Sequence, residues 1–181
     1  DTIVWMAEFN DSKRVVEVTK SLAQYFRLAL NQGHEQISLK DEIDHVRQYL
    51  FIQKQRYGDK LQYEIEEDES LADYKLPKLV LQPLVENAIY HGIKEIDRPG
   101  IIRVTSTVEE GKLLLSIYDN GCGFDLQDSS EKTLLRLGGV GLKNVDQRLR
   151  LQFGEGYRME IQSEQDTFTL IKIYLPLSND K

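Results

Sequence analysis

The 181-residue chain carries 30 acidic and 23 basic side chains, a net charge of −7, with 40% hydrophobic and 29% charged residues. That charge disfavours a sequence-independent grip on nucleic acid, which needs a basic surface to displace counterions, and the apolar content excludes a disordered or fibrous chain. No apolar run approaches the roughly 20 residues of a transmembrane helix, and the single cysteine, Cys122, excludes an internal disulfide and a Cys-rich zinc site.

The sequence opens at Asp1-Thr2-Ile3-Val4-Trp5, without an initiator Met and already in a helix-like pattern, and reads as part of something longer. Val15, Val18, Leu22, Tyr25/Phe26 and Ala29 recur at the period of one helix face. Asn31-Gln32-Gly33 supplies a stop. Ser38 restarts the chain as an expected N-cap, with Asp41 and Glu42 in the first turn, where the helix dipole favours negative charge. Leu39, Ile43, Val46, Leu50 and Tyr57 trace a second stripe that ends at Gly58-Asp59. A helical hairpin over 1–57 follows, whose stripes must meet a second copy or the rest of the chain; a four-helix dimer is the expected solution.

After Gly58 the texture turns to alternation. Leu61, Tyr63 and Ile65 predict a short strand, and Leu76 to Lys94 a buried helix with Pro77 in its first turn. Pro83 removes a backbone donor, so a kink or a late start is expected there. Ile102, Val104, Ser106 and Val108 alternate, then Gly111 turns into Lys112–Tyr118, a second β-rich run. Residues 125–137 read as a loop, Val140 to Phe153 as a helix with Leu142, Val145, Leu149 and Phe153 on one face. Two strands, Tyr157–Glu164 and Phe168–Leu175, close the chain around Gln165-Asp166. This order predicts an α/β sandwich with helices on one face of a mixed sheet.

Three segments carry candidate chemistry. In Leu84-Val85-Glu86-Asn87-Ala88-Ile89-Tyr90-His91-Gly92, Asn87, His91 and Lys94 share one flank at helical spacing, and the Asn87 amide oxygen suits Mg²⁺, a hard cation. The alternative is that Asn87 merely bonds a neighbouring backbone group. In Tyr118-Asp119-Asn120-Gly121-Cys122-Gly123-Phe124, an Asp at a strand end can accept from the exocyclic amine of adenine and would repel the oxygen guanine presents there. Gly121 and Gly123 leave room for a flat ring, and an ordinary Asp-Asn-Gly turn is the alternative. In Leu137-Gly138-Gly139-Val140-Gly141-Leu142-Lys143-Asn144, backbone donors opening a helix suit phosphate. The segment lacks the Gly-Lys-Ser/Thr of a P-loop, and a lone Gly-x-Gly is weak.

The three together, in this order, resemble the N, G1 and G2 boxes of the Bergerat (GHKL) ATP-binding fold shared by gyrase, Hsp90, MutL and histidine kinases. LQPLVENAIYHGI (81–93), YDNGCGF (118–124) and GVGLKNVDQRLRLQFG (139–154), with LAQYFRLAL and ISLKDEIDHVRQYLFIQKQRYGD before them, resemble sensor histidine kinases of the YesM/LytS type. By position, the resemblance implies Asn87 on Mg²⁺ and Asp119 on adenine N6, with Gly121 and Gly123 lining the base pocket. It implies Gly139, Gly141 and Leu142 near the phosphates, with His91 and Lys94 as polar neighbours. Thr167 would be an adenine contact, although Asp166 stands where the family has Gly. Residues 1–57 would be the dimerisation and phosphoacceptor-type region, 58–181 the ATP-binding catalytic domain, and 125–137 its lid.

The resemblance implies ATP and Mg²⁺ as cofactors, a homodimer, and a response-regulator receiver domain as partner. It places the chain on the cytoplasmic side of a membrane-anchored bacterial sensor. The family's acceptor histidine lies in a Pro-His-Phe-like stretch just upstream of the residues present here. His34, His45 and His91 fall outside such a motif, so the chain is expected to bind nucleotide without phosphorylating itself. His34 is expected to be solvated in the inter-helix turn, and His45 to be structural or exposed. Two other readings compete: an ATP-hydrolysing clamp, which needs a Glu four residues before Asn87 where this chain has Pro83, and a non-catalytic nucleotide-binding dimerisation module.

Overall fold

The structure is a computed structural model that describes residues 2–8, 11–30, 35–125 and 140–177. The Asn31–Gly33 stop, His34, Gly138, Gly139 and all of the 125–137 segment but Asp125 lie outside the described residues. Helices α1 (Thr2–Glu8) and α2 (Ser12–Leu30) come first. Strand β1 (Gln36–Ser38) leads into α3 (Leu39–Tyr57). The start of α3 is set as its sequence demands: the Asp41 amide donates to Ser38 Oγ at 3.1 Å, satisfying one of the first-turn donors. Its end is set by Gly58, whose φ of +58° is open to glycine and whose amide donates back to Lys54.

Strands β2 (Leu61–Glu66), β4 (Gly100–Glu109), β5 (Lys112–Asp119), β6 (Arg158–Glu164) and β7 (Phe168–Pro176) form one sheet in the order β2-β4-β5-β7-β6. β2 runs parallel to β4 and all other pairs are antiparallel. β4 and β5 are joined by Glu110-Gly111, both at positive φ, the two-residue turn whose twist matches the strands. Along β4, Ile102, Val104 and Ser106 are buried while Arg103 and Thr105 are not, the two-fold alternation of a sheet with one face covered. The cover consists of α3, α4 (Leu81–Asn87) and α5 (Val140–Phe153), whose Val46, Leu50, Leu84, Val145 and Leu149 share a core with Leu113, Leu115 and Ile173. Each such fully buried side chain contributes about 1.5–3 kcal/mol. The architecture is therefore an α/β sandwich, helices on one face of a mixed sheet, preceded by a helical segment.

The second stripe of the N-terminal region meets the rest of the chain: Leu39, Ile43, Val46 and Leu50 are buried in the common core. α2 packs against α3 through Tyr25, whose ring meets those of His45 and Tyr49, and leaves Val16, Phe26 and Leu30 exposed.

The expectation of a helix from Leu76 with Pro77 in its first turn is corrected. Lys75–Pro77 is a strand, β3, paired antiparallel with β1. The donors at the start of α3 explain it, because the amides of Leu39 and Lys40 bond the carbonyls of Tyr74 and Ala72 at 2.8 and 3.1 Å, drawing 72–77 into extended backbone. The late start expected at Pro83 is what the chain does: α4 begins at Leu81, and Pro83 occupies its first turn, where the missing donor has no intrahelical use.

Glu42 fixes that starting point. Its carboxylate is fully buried and accepts from the amides of Leu79 at 2.9 Å and Leu81 at 2.7 Å. Leu79 is held at φ +59°, uncommon for a side chain of its size, and Arg148 of α5 donates to the adjoining Lys78 carbonyl at 2.7 Å. Burial raises the Glu42 pKa, and the amides of Leu81, Leu79, Val80 and Gln82 oppose that shift. Replacing Glu42→Ala strands two buried donors, so we expect a loss of roughly 3 kcal/mol or more in urea denaturation. A loss below about 1 kcal/mol would mean that the 79–81 amides find other acceptors.

Candidate functional site

The α4 rod does not stay α-helical. After Asn87 it widens into a π-turn over Ala88–Gly92 and tightens into a 3₁₀ turn over Ile93–Glu95, and π-turns are concentrated at functional positions. The widened turn presses Gly92 onto the end of β5. A Cβ on Gly92 would stand 2.5 Å from Asp119 Oδ1, so only glycine fits. On the other side a Cβ on Gly121 would strike the Gly92 backbone and lie 2.6 Å from the same oxygen. The G1 turn is thus wedged against the helix, with Asp119 between them.

Asp119 is 4% exposed. Its Oδ1 accepts from the Gly121 amide at 2.9 Å, and burial pushes its pKa up to about 7 against that one hydrogen bond. It lines a cavity together with Leu84, Asn87, Ala88 and His91 of the helix rod and Thr169 and Ile171 of β7. Phe124, Ile117 and Gly123 complete the lining. The turn that carries them is fastened to the β6–β7 connection: the Phe124 amide donates to Ser163 Oγ at 2.9 Å and the Asp166 amide to the Cys122 carbonyl at 2.6 Å. Gly123 sits at φ +50°, where a Cβ would meet the carbonyls of Glu164 and Phe168. A mostly apolar slot with one buried carboxylate at its end can take a flat ring and accept from a donor on its edge.

The cavity gathers Asn87, His91, Asp119 and Gly123, with Gly121 packed behind Asp119. Other candidates stand apart from it. Lys94 is exposed, its Nζ 5.9 Å from the Tyr90 ring centroid, because the π-turn breaks the 100° step that put it in line with Asn87 and His91. Leu142 is buried in the core, and a Cβ on Gly141 would touch Pro83 at an ordinary 3.5 Å. Thr167 lies in an exposed turn, donating to the Gln165 carbonyl at 3.2 Å.

The residue that faces Asp119 is Thr169, its register partner across the β5–β7 pair. The sequence reading missed it, although the alternation of β7 carries the signal: inward positions 169, 171 and 173 share one face. Ile117 and Ile171 follow from the same register. Gly92 stood inside the quoted motif with no role, and nothing in a helical reading would assign one.

Two family models match the chain: one described as histidine kinase over residues 1–61, the other as histidine kinase-, DNA gyrase B-, and HSP90-like ATPase over residues 72–179. Sensor histidine kinase YesM of Bacillus subtilis is 32% identical over 99% of this chain and 31% of its own length. Sensor histidine kinase BtsS of Escherichia coli is 34% identical over 92% of this chain and 28% of its own length. The chain thus spans about a third of the length of these relatives. Among solved structures, the Acinetobacter baumannii histidine kinase AdeS matches with a TM-score of 0.58 at 17% identity, covering 99% of this chain and 86% of that one. The catalytic domain of histidine kinase ThkA matches with a TM-score of 0.54 at 14% identity, covering 78% and 94%. At these identities the structures speak for the fold.

The burial of Asp119 has a cost with a definite sign. Its folded pKa of about 7 exceeds the ordinary 3.8, so the unfolded chain releases this proton first, and stability falls as pH rises from about 4 through about 7. Asp119→Asn is therefore expected to be more stable than the parent at pH 8 by about 2–4 kcal/mol, with the gap closing below pH 4. Paired denaturation curves at the two pH values test this; equal stabilities at pH 8 would show that the carboxylate is not destabilised by its site.

Proposed function

We propose that this chain, which belongs to the histidine kinase-, DNA gyrase B-, and HSP90-like ATPase family, is the ATP-binding catalytic portion of a two-component sensor histidine kinase. It binds Mg-ATP and presents the γ-phosphate to a histidine, for relay to an aspartate on a response-regulator receiver domain. The observation that supports this reading is Asp119, a carboxylate kept in a costly buried position on the lining of a mostly apolar slot; it would accept from the adenine amine. The phosphates would lie toward the start of α5, past Asn87 and His91, with Gly139 and Gly141 allowing close approach and Leu142 anchoring that helix in the core.

Asn87 lines the same slot and offers an amide oxygen, a fitting donor for Mg²⁺. The ion supplies charge neutralisation on the phosphates, and the chain's own work is to hold and orient the nucleotide. Hydrolysis is disfavoured because Pro83 stands four residues before Asn87, and Glu86 Oε1 is taken by the Gln82 amide at 2.9 Å. His45, buried on α3, is not an acceptor.

The homodimer would form on α2. Val16, Thr19, Ala23, Phe26 and Leu30 lie on its exposed side at the three-and-four spacing of a coiled-coil seam, opposite the face spent on α3. Among the described residues no helix is long and apolar enough to cross a membrane.

Two measurements follow. Calorimetry with ATP and Mg²⁺ should show Asp119→Asn binding about 10- to 100-fold more weakly, one charged hydrogen bond, and the parent's affinity rising with pH through about 7 as Asp119 ionises. Unchanged affinity in the substituted protein would reduce Asp119 to a turn residue. Light scattering of a Phe26→Asp, Leu30→Asp double variant should report monomer where the parent is dimeric, with ATP affinity intact. A dimer that survives both changes would move the seam off α2.

A further inference from the structure

His45 is 2% exposed, and among the described residues neither ring nitrogen has a hydrogen-bond partner. Its ring lies flat against that of Tyr25 from α2, with centroids 4.4 Å apart and planes 16° apart. Tyr25 also lies 6.1 Å from Tyr49 of α3. From α4, Gln82 donates to the Tyr25 hydroxyl at 3.5 Å and to Glu86 at 2.9 Å, while its own Oε1 has no partner. This cluster ties α2 to α3 and α4. A neutral imidazole can stack there; an imidazolium would carry its charge into a site sealed from water, where among the described residues no carboxylate is hydrogen-bonded to either ring nitrogen.

The titratable groups around His45 are Tyr25 of α2, Tyr49 and Glu42 of α3, and Glu86 and Tyr90 beside Tyr49 from the α4 rod. The two carboxylates are otherwise engaged: Glu42 with the amides of Leu79 and Leu81, Glu86 with Gln82. Burial accordingly holds the His45 pKa below its ordinary 6.5.

We propose that the Tyr25–His45 stack is a proton-operated latch, which holds α2 on the catalytic core while His45 is neutral and releases α2 in mild acid with uptake of one proton from solvent. Undocking lets the ring recover its ordinary pKa, so docking is complete above about 6.5 and weakens as pH falls, by up to about tenfold per pH unit until the docked pKa is reached. The latch itself rests on the stack. Its consequence, a change in how freely the ATP-binding layer moves relative to the dimer seam on α2, rests on the kinase reading above.

The test uses the 181-residue chain without nucleotide, so its failure is separate from failure of ATP binding. NMR would follow the His45 ring proton from pH 8 to 5, and hydrogen exchange would compare α2 with β5 in the same samples. The expected result is a His45 midpoint below 6.5 and a protection of α2, relative to β5, that falls with pH. His45→Phe keeps an aromatic stack and should leave α2 docked across the range. Tyr25→Leu, a second route should that variant fold poorly, should bring the His45 midpoint back toward 6.5. A midpoint at or above 6.5 in the parent overturns the latch. So does α2 protection that ignores pH or strengthens in acid, or unchanged pH dependence in His45→Phe.

Discussion

A buried carboxylate decides where the site helix begins. Glu42 projects from α3 into the space between α3, α4 and α5 and gathers the amides of Leu79 and Leu81, donors that the first turn of α4 cannot use internally. Arg148 closes the same turn from α5 through the Lys78 carbonyl. These contacts lock the three helices in register around residues 78–81. Apolar contacts tolerate sliding, whereas two charge-assisted hydrogen bonds from one carboxylate do not. The position of Asn87 and His91, six and ten residues beyond Leu81, descends from this junction.

The far end of the rod is fixed by close approach instead of polarity. Gly92 and Gly121 meet with Asp119 between them, and neither would accept a methyl group. The π-turn that delivers Gly92 there costs regular helix geometry and yields a carboxylate sealed from water on one side and open to the slot on the other. Burial that raises the Asp119 pKa to about 7 is stability given up at the site, as is common where a group awaits a partner. The slot's opposite wall, Thr169 and Ile171, comes from the strand paired with the one that ends in Asp119.

The N-terminal region divides between two duties. α3 belongs to the core, and its stripe is spent on β-sheet and α4. α2 touches that core with one face and leaves a second apolar face, with Val16, Phe26 and Leu30, to solvent. On the proposed reading, that second face meets another copy of the chain. The contact through Tyr25 and His45 is where the two duties meet.

The sequence by itself determined the elements whose signals are local. Ser38 with Asp41 starts α3, Gly58 ends it, Gly111 turns β4 into β5, and the alternation of 102–106 sets which face is buried. It also determined the order of the three boxes, from which Asn87, Asp119 and Gly123 were legible, because those residues are exceptional in their own elements. What it could not show was anything decided by a partner distant in the chain. The β1–β3 pair exists because α3 offers unpaired amides to 72–74. Lys94 leaves the flank of Asn87 because a π-turn intervenes, and Thr169 lines the slot because β7 registers it opposite Asp119. Local pattern follows from the chain's own hydrogen-bond periodicities; these three outcomes follow from which donors and surfaces remain unsatisfied once other elements are in place, and only the tertiary structure settles that.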